Sequence, residues 1–243
     1  MAKKPLISAV SMVMMLGAVL AGCGGGGSGD NGAGSPVSPP RATGPATSPP
    51  SPSGPPRFTA DIKKVSRPDL KYSWREGCPV PVSGLRAIDM NHWGMDGKVH
   101  NGRLIVNASA AEELTGVFHK LFDRKYPIAR MEPVDKYRGS DFDSIEANNT
   151  SAFNCRQATG SGSWSQHAYG LAVDINPCEN PYVSADGTIS HKDCVKYKDR
   201  SLDVPGLIHR GDKTVQAFAD IGWGWGGNWT GVKDYQHFSS NGR

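Results

Sequence analysis

The sequence predicts an α+β domain over residues 58–243, a small antiparallel sheet with helices packed around it. Three observations carry this expectation. Residues 84–106 read as two strand-like runs around an Asp96-Gly97 turn. Apolar residues at helical spacing follow from Leu114. Further short strand and helix signals are then interleaved through long connections, which points to an α+β domain. No internal repeat is present.

Taken in order, LRAIDMNHW and KVHNGRLIV are the paired strands, and Asn101-Gly102 suggests a second turn. Ser109-Ala-Ala-Glu112 has capping-box spacing and opens a helix whose apolar face is Leu114, Val117, Phe118, Leu121 and Phe122. His119 lies off that face and is expected in solvent. Pro127 ends the helix, and PIARME reads as a short strand. A helix over 141–147, a strand over Ala152–Arg156 and a strand at LAVDIN follow, the last with Ala172, Asp174 and Asn176 on one face. Asp212 is placed to cap a helix containing Val215, Phe218, Ala219 and Ile221, which Gly222 ends. Trp223, Trp225 and Trp229 suit core and groove wall.

The chain before the domain has a different composition. Lys3 and Lys4 precede an apolar run from Leu6 to Leu20, so residues 1–22 read as an export leader. Leu20-Ala21-Gly22-Cys23 is similar to a bacterial lipobox, which implies acylation of Cys23 and a lipid-anchored protein on the outer face of the cytoplasmic membrane, in the cell envelope. Residues 23–57 then read as a tether: 24 of the 33 residues over 24–56 are Gly, Pro or Ser. Such a segment lacks the apolar surface to offset its ordering entropy. Without Lys3 and Lys4 the chain has 25 basic against 23 acidic residues, a balance that gives nucleic-acid binding no support. Cys78, Cys155, Cys178 and Cys194 form an even set in an exported chain and allow three disulfide pairings. The favoured one closes the polar loop with Cys178–Cys194 and leaves Cys78–Cys155. With no Cys-x-x-Cys, a thiolate zinc site is not expected.

The chemistry concentrates in SWSQHAYGLAVDINP, residues 163–177. An acid at Asp174 among Leu171, Val173 and Ile175 needs hydrogen bonds, a cation or a metal if its face is confined. His167 stands seven residues earlier, and Gly170 permits a tight turn between the two. A third ligand must come from His92, His100, His119, His191, His209 or His237. His237 fits best, with Asp234 three residues before it and Phe238 after it. Two histidines and a carboxylate form a zinc site with one open position. Zinc there makes hydroxide available near neutral pH, and Asp234 is placed to move protons.

Ser165-x-His167-x-x-Gly170-x-Ala172-x-Asp174-Ile175, followed by Asp234-x-x-His237-Phe238, resembles the zinc D-alanyl-D-alanine carboxypeptidases of the VanY type and the related L-alanyl-D-glutamate endopeptidases. The likeness runs from about Trp74 to Phe238 and includes Asn154-Cys155-Arg156 and Asn180-Pro-Tyr-Val183. It implies a hedgehog-like zinc-peptidase fold and one Zn2+ per chain held by His167, Asp174 and His237. It further implies Asp234 as general base and Arg156 as the oxyanion-stabilising cation. Ser165 and Tyr169 are candidates to shape the site or touch substrate. The bland alternatives are Arg156 paired with a carboxylate such as Asp135, Asp234 paired with Lys233, and His237 packed on Trp229 or Phe238.

The expected function is hydrolysis of peptidoglycan stem peptides by a metal-activated water, by a monomer with no nucleic-acid partner. Whether the chain acts as carboxypeptidase or endopeptidase stays open; Arg138, Lys192 and Lys198 are candidate readers of a substrate carboxylate. The alternative is a non-catalytic, zinc-containing lipoprotein that binds cell wall.

Overall fold

Leu85–Trp93 (β2) and Val99–Asn107 (β3) form a nine-residue antiparallel ladder, and Ala60–Lys64 (β1) pairs antiparallel with the other edge of β2. In this computed structural model, which describes residues 54–243, the order of that sheet is β1-β2-β3. The leader over 1–22, the acylation call at Cys23 and the tether up to residue 53 lie outside the described residues.

Alternation along β2 and β3 builds a core on each face. Ile88, Met90, Leu104 and Val106 pack with Leu114, Val117, Phe118 and Leu121 of helix α1, Ala111–Asp123. Leu85, Ala87 and Ile105 face the other way, onto Leu70, Phe153 and Cys155. Asp212 caps helix α3, Lys213–Ala219, with its side chain accepting from the Thr214 and Val215 amides, as expected. His119 is solvent-exposed and stacks on Phe58 at 4.8 Å.

A second antiparallel sheet carries the site. Its order is β6 (Ala172–Asp174), β10 (His237–Ser239), β8 (Gly224–Trp225). Phe238 lies opposite Val173 on one side and Trp225 on the other, and stacks on Phe218 of α3 at 4.0 Å between ring centroids. Because neighbours on a strand point oppositely, sinking Phe238 into this core turns His237 away from it. Two smaller pairings complete the frame. Arg130–Met131 (β4) runs parallel to Asn149–Thr150 (β5), and Tyr182–Val183 (β7) runs antiparallel to Lys233–Asp234 (β9). Helix α2 spans Asp141–Glu146. Cys78 is bonded to Cys155 and Cys178 to Cys194. The architecture is α+β.

Several local expectations need correction. Asn101-Gly102 is not a turn but lies within β3; a Cβ on Gly102 would come 2.6 Å from the Met131 side chain, so its bareness serves close packing. Ser109 does not cap α1, because Asn107 Oδ1 accepts from both its amide and its hydroxyl, and the helix begins after Ala110. Ala152–Arg156 is no strand. The amides of Phe153, Asn154 and Cys155 reach Ile105, His167 and Ser73, three different partners, so no ladder forms. The LAVDIN strand stops at Asp174. Asn176 leaves its face at φ 44° and instead ties Ala129 and Pro127 through its carboxamide.

Asn180, fully buried, is the hub of the loop after β6. Its Nδ2 donates to the Gly206 carbonyl at 2.8 Å, and its Oδ1 accepts from the Ile208 amide at 2.7 Å and Arg200 Nη2 at 2.9 Å. Asn180→Ala strands these buried partners and is expected to lower unfolding free energy by about 3 kcal/mol, read from urea denaturation.

Candidate metal centre

His167, Asp174 and His237 are all buried and come together across the β6–β10 pairing, where His237 stands directly opposite Asp174. His167 arrives from the turn Gln166–Tyr169, which Ser165 caps by accepting the His167 amide at 3.3 Å. Gly170 ends that turn at φ 65°. A side chain there would be strained, and its Cβ would meet the Asn107 amide at 2.6 Å.

The inward atoms are already at coordination spacing. His167 Nε2 lies 3.1 Å from Asp174 Oδ2, His237 Nδ1 lies 3.0 Å from Asp174 Oδ1, and the two nitrogens are 3.2 Å apart. Tetrahedral ligands at the usual zinc distances stand about 3.3 Å from one another. Each imidazole is also held by its far nitrogen. His167 Nδ1 donates to the Ala152 carbonyl at 2.6 Å, and His237 Nε2 donates to the Arg243 carbonyl at 3.3 Å. Those bonds fix both tautomers with the lone pair inward. The donor set therefore fits a zinc ion.

Burial disfavours charge on Asp174, but the imidazoles of His167 and His237 outweigh it and hold this carboxyl well below the ordinary carboxylate range. Asp234 goes the other way. Although the residue is half-buried, its Oδ1 is shut off from solvent and has no partner among the described residues. Burial, then the negative charge of Asp174, pushes its pKa up to about 7. Lys233 is not its partner; that ammonium bonds the Trp229 carbonyl.

His167, His237 and Asp234 open on one cleft of about 590 Å³, which Arg156 also lines and Asp174 does not. Arg156 Nε lies 2.9 Å from Asp141 Oδ1 without hydrogen-bond alignment, so the ion contact is with Asp141. Asp135, the partner suggested from sequence, instead accepts from Tyr72 and Ser73. Ser165 lines the cleft. Tyr169 does not: its ring packs in the second core and its carbonyl accepts from Asn107, which corrects the substrate-contact expectation. Arg138, Lys192 and Lys198 are absent from the cleft wall, whose arginines are Arg156 and Arg243.

Of the other histidines, His191 reaches the cleft rim but bonds Glu146 at 2.6 Å, His100 bonds Asp96 at 2.9 Å and His209 bonds the Leu202 carbonyl at 3.1 Å. Trp229 and His237 have ring centroids 5.5 Å apart. Trp223 and Trp225 belong to the core. Phe142, His191 and Gln236 are wall residues that nothing in the sequence spacing singles out. A second cleft, about 620 Å³, lies by β1 and β3; it is shallower, and its Asp89 and Arg103 already pair with each other.

Zinc titration of the apoprotein is expected to saturate at one ion per chain. Four-ligand zinc sites are worth about 10–16 kcal/mol, so losing one ligand in Asp174→Ala or His237→Ala should weaken binding on the order of a hundredfold, measured by chelator competition.

Comparison with known proteins gives one finding. The model of a family described as D-alanyl-D-alanine carboxypeptidase matches residues 159–240, about a third of the chain. A search of curated proteins and a search of solved structures found no match. The matched stretch contains His167, Asp174, Asp234 and His237, and starts after Arg156. It supports a peptidase similar to that family.

Proposed function

We propose that this protein is a zinc-dependent peptidase acting on peptidoglycan stem peptides, and that export and acylation of Cys23 hold it at the outer face of the cytoplasmic membrane. One observation carries the catalytic reading: the Asp234 carboxyl, its Oδ1 without a hydrogen-bond partner among the described residues and its pKa raised to about 7, lines the same cleft as His167 and His237 of the three-residue group. A purely structural ion has no use for such a group, whereas a proton carrier works best near the operating pH.

His167, Asp174 and His237 would hold the ion. When bound, zinc supplies Lewis acidity, which polarises a scissile carbonyl and acidifies water. Asp234 takes the proton from the attacking water and passes it to the leaving amine. Arg156, which lines the same cleft, offers its guanidinium to the negative charge that develops on the carbonyl oxygen. The contact with Asp141, which lines the same cleft, restrains that guanidinium, limiting the motion lost on reaction. The family match supports a carboxypeptidase-like activity, and loss of a terminal D-alanine is the cleavage we expect.

The test is incubation of zinc-loaded protein with purified muropeptides, with products identified by mass spectrometry. Release of one D-alanine marks the carboxypeptidase, and cleavage between L-alanine and D-glutamate marks the endopeptidase. No cleavage by protein carrying one zinc would overturn the peptidase reading and leave a wall-binding lipoprotein. In active protein, Asp234→Ala should lower kcat by about 10²–10⁴-fold with zinc content intact. Arg156→Ala should lower kcat by about 10²–10³-fold with little change in KM.

A further inference from the structure

Among the described residues, five buried side-chain polar atoms have no hydrogen-bond partner, and three of them belong to residues lining the metal cleft: Arg156 Nε, Asp234 Oδ1 and Gln236 Oε1. Buried polar atoms in folded proteins are nearly always paired, so unpaired ones gathered in one cleft point to a ligand. Arg156 and Asp234 have work in the proposed reaction. Gln236 has none.

Gln236 is 4 % exposed and directly precedes the ligand His237. Its backbone is committed to the sheet, the carbonyl accepting from the Ile175 amide at 3.0 Å. Its side chain makes no hydrogen bond among the described residues. Turning the carboxamide over merely exchanges which end, oxygen or nitrogen, sits in the buried position. A carboxamide offers one acceptor and two donors on neighbouring atoms. A carboxylate ligand would call for donors alone, and an ammonium for acceptors alone. The complement of a carboxamide is another amide.

We propose that Gln236 is a substrate-binding residue whose carboxamide pairs with a peptide group of the bound stem peptide, accepting its N–H and donating to its C=O. The proposal rests on the cleft receiving a peptide, as in the function proposed above, but not on cleavage. The adjacency to His237 ties the register of the bound chain to the metal centre: a peptide group gripped at Gln236 is fixed within about one residue's length of the ligand strand.

The test measures binding apart from turnover. A synthetic stem pentapeptide ending in D-alanyl-D-alanine is titrated calorimetrically into zinc-loaded Asp234→Asn protein, with and without Gln236→Met. Methionine nearly matches glutamine in volume and removes the unpaired polar atoms. Peptide Kd should rise about tenfold, while zinc affinity stays unchanged and thermal stability of the free protein stays level or increases. A structural glutamine would instead give a less stable variant with unaltered Kd. A second series keeps Gln236 and replaces each peptide N–H of the ligand in turn by an ester oxygen; one position should weaken binding about tenfold, and that preference should vanish in Gln236→Met. Kd within twofold of the parent for Gln236→Met, or no costly ester position, overturns the proposal. Cleavage by the otherwise unaltered protein together with that null result removes the Gln236 role and leaves the peptidase intact. Gln236-dependent binding without cleavage does the reverse, and no binding at all removes both.

Discussion

The register of β10 on β6 governs the candidate metal centre, because it sets His237 opposite Asp174 although they are 63 residues apart in the chain. Opposed residues in an antiparallel pair have Cβ atoms about 5 Å apart, close enough for their polar ends to share an ion. A slip of one residue would put Phe238 where His237 stands and drive an imidazole into the core. The slip is blocked by apolar packing: Phe238 lies between Val173 and Trp225 and stacks on Phe218. The hydrophobic core therefore fixes the coordination geometry, and the imidazole tautomers are set by the Ala152 and Arg243 carbonyls behind them.

Two acidic groups near one another then diverge in behaviour through their surroundings. Asp174 is enclosed by imidazoles and stays charged, while Asp234 meets burial and the field of Asp174 and resists charge. In the proposed reaction this difference separates ligand from base with a single residue type. Arg156 is held nearby by two constraints, the Asp141 contact and the disulfide at its neighbour Cys155.

The grouping of His167, Asp174 and His237 was legible because histidine and aspartate are scarce on an otherwise apolar strand, and because the two halves of the motif occur in order. The paired strands and the α3 cap were legible for a similar reason: each rests on contacts within a few residues. Failures occurred where tertiary partners compete with local ones. Ser109 has capping spacing but is taken by Asn107, and Ala152–Arg156 looks extended but distributes its amides among three elements. Gln236 left no trace in the sequence, since burial of a glutamine without a partner depends on how β9 pairs with β7 and β10 with β6. Tyr169 misled for the opposite reason: its position beside His167 hid the fact that the turn directs its ring toward the second core.

The proposed base and the candidate ligands belong to separate pieces of framework. Asp234 stands on β9, which pairs with β7 at Tyr182, within the loop stapled by Cys178–Cys194; His237 and Asp174 stand on β10 and β6. Only Tyr235 and Gln236 join the two strands of the tail. If the proposed roles hold, insertions or substitutions in the stapled loop would move Asp234 while leaving the His167–Asp174–His237 group alone. Such a division would let natural variation explore new reactivity without first disturbing the candidate metal ligands.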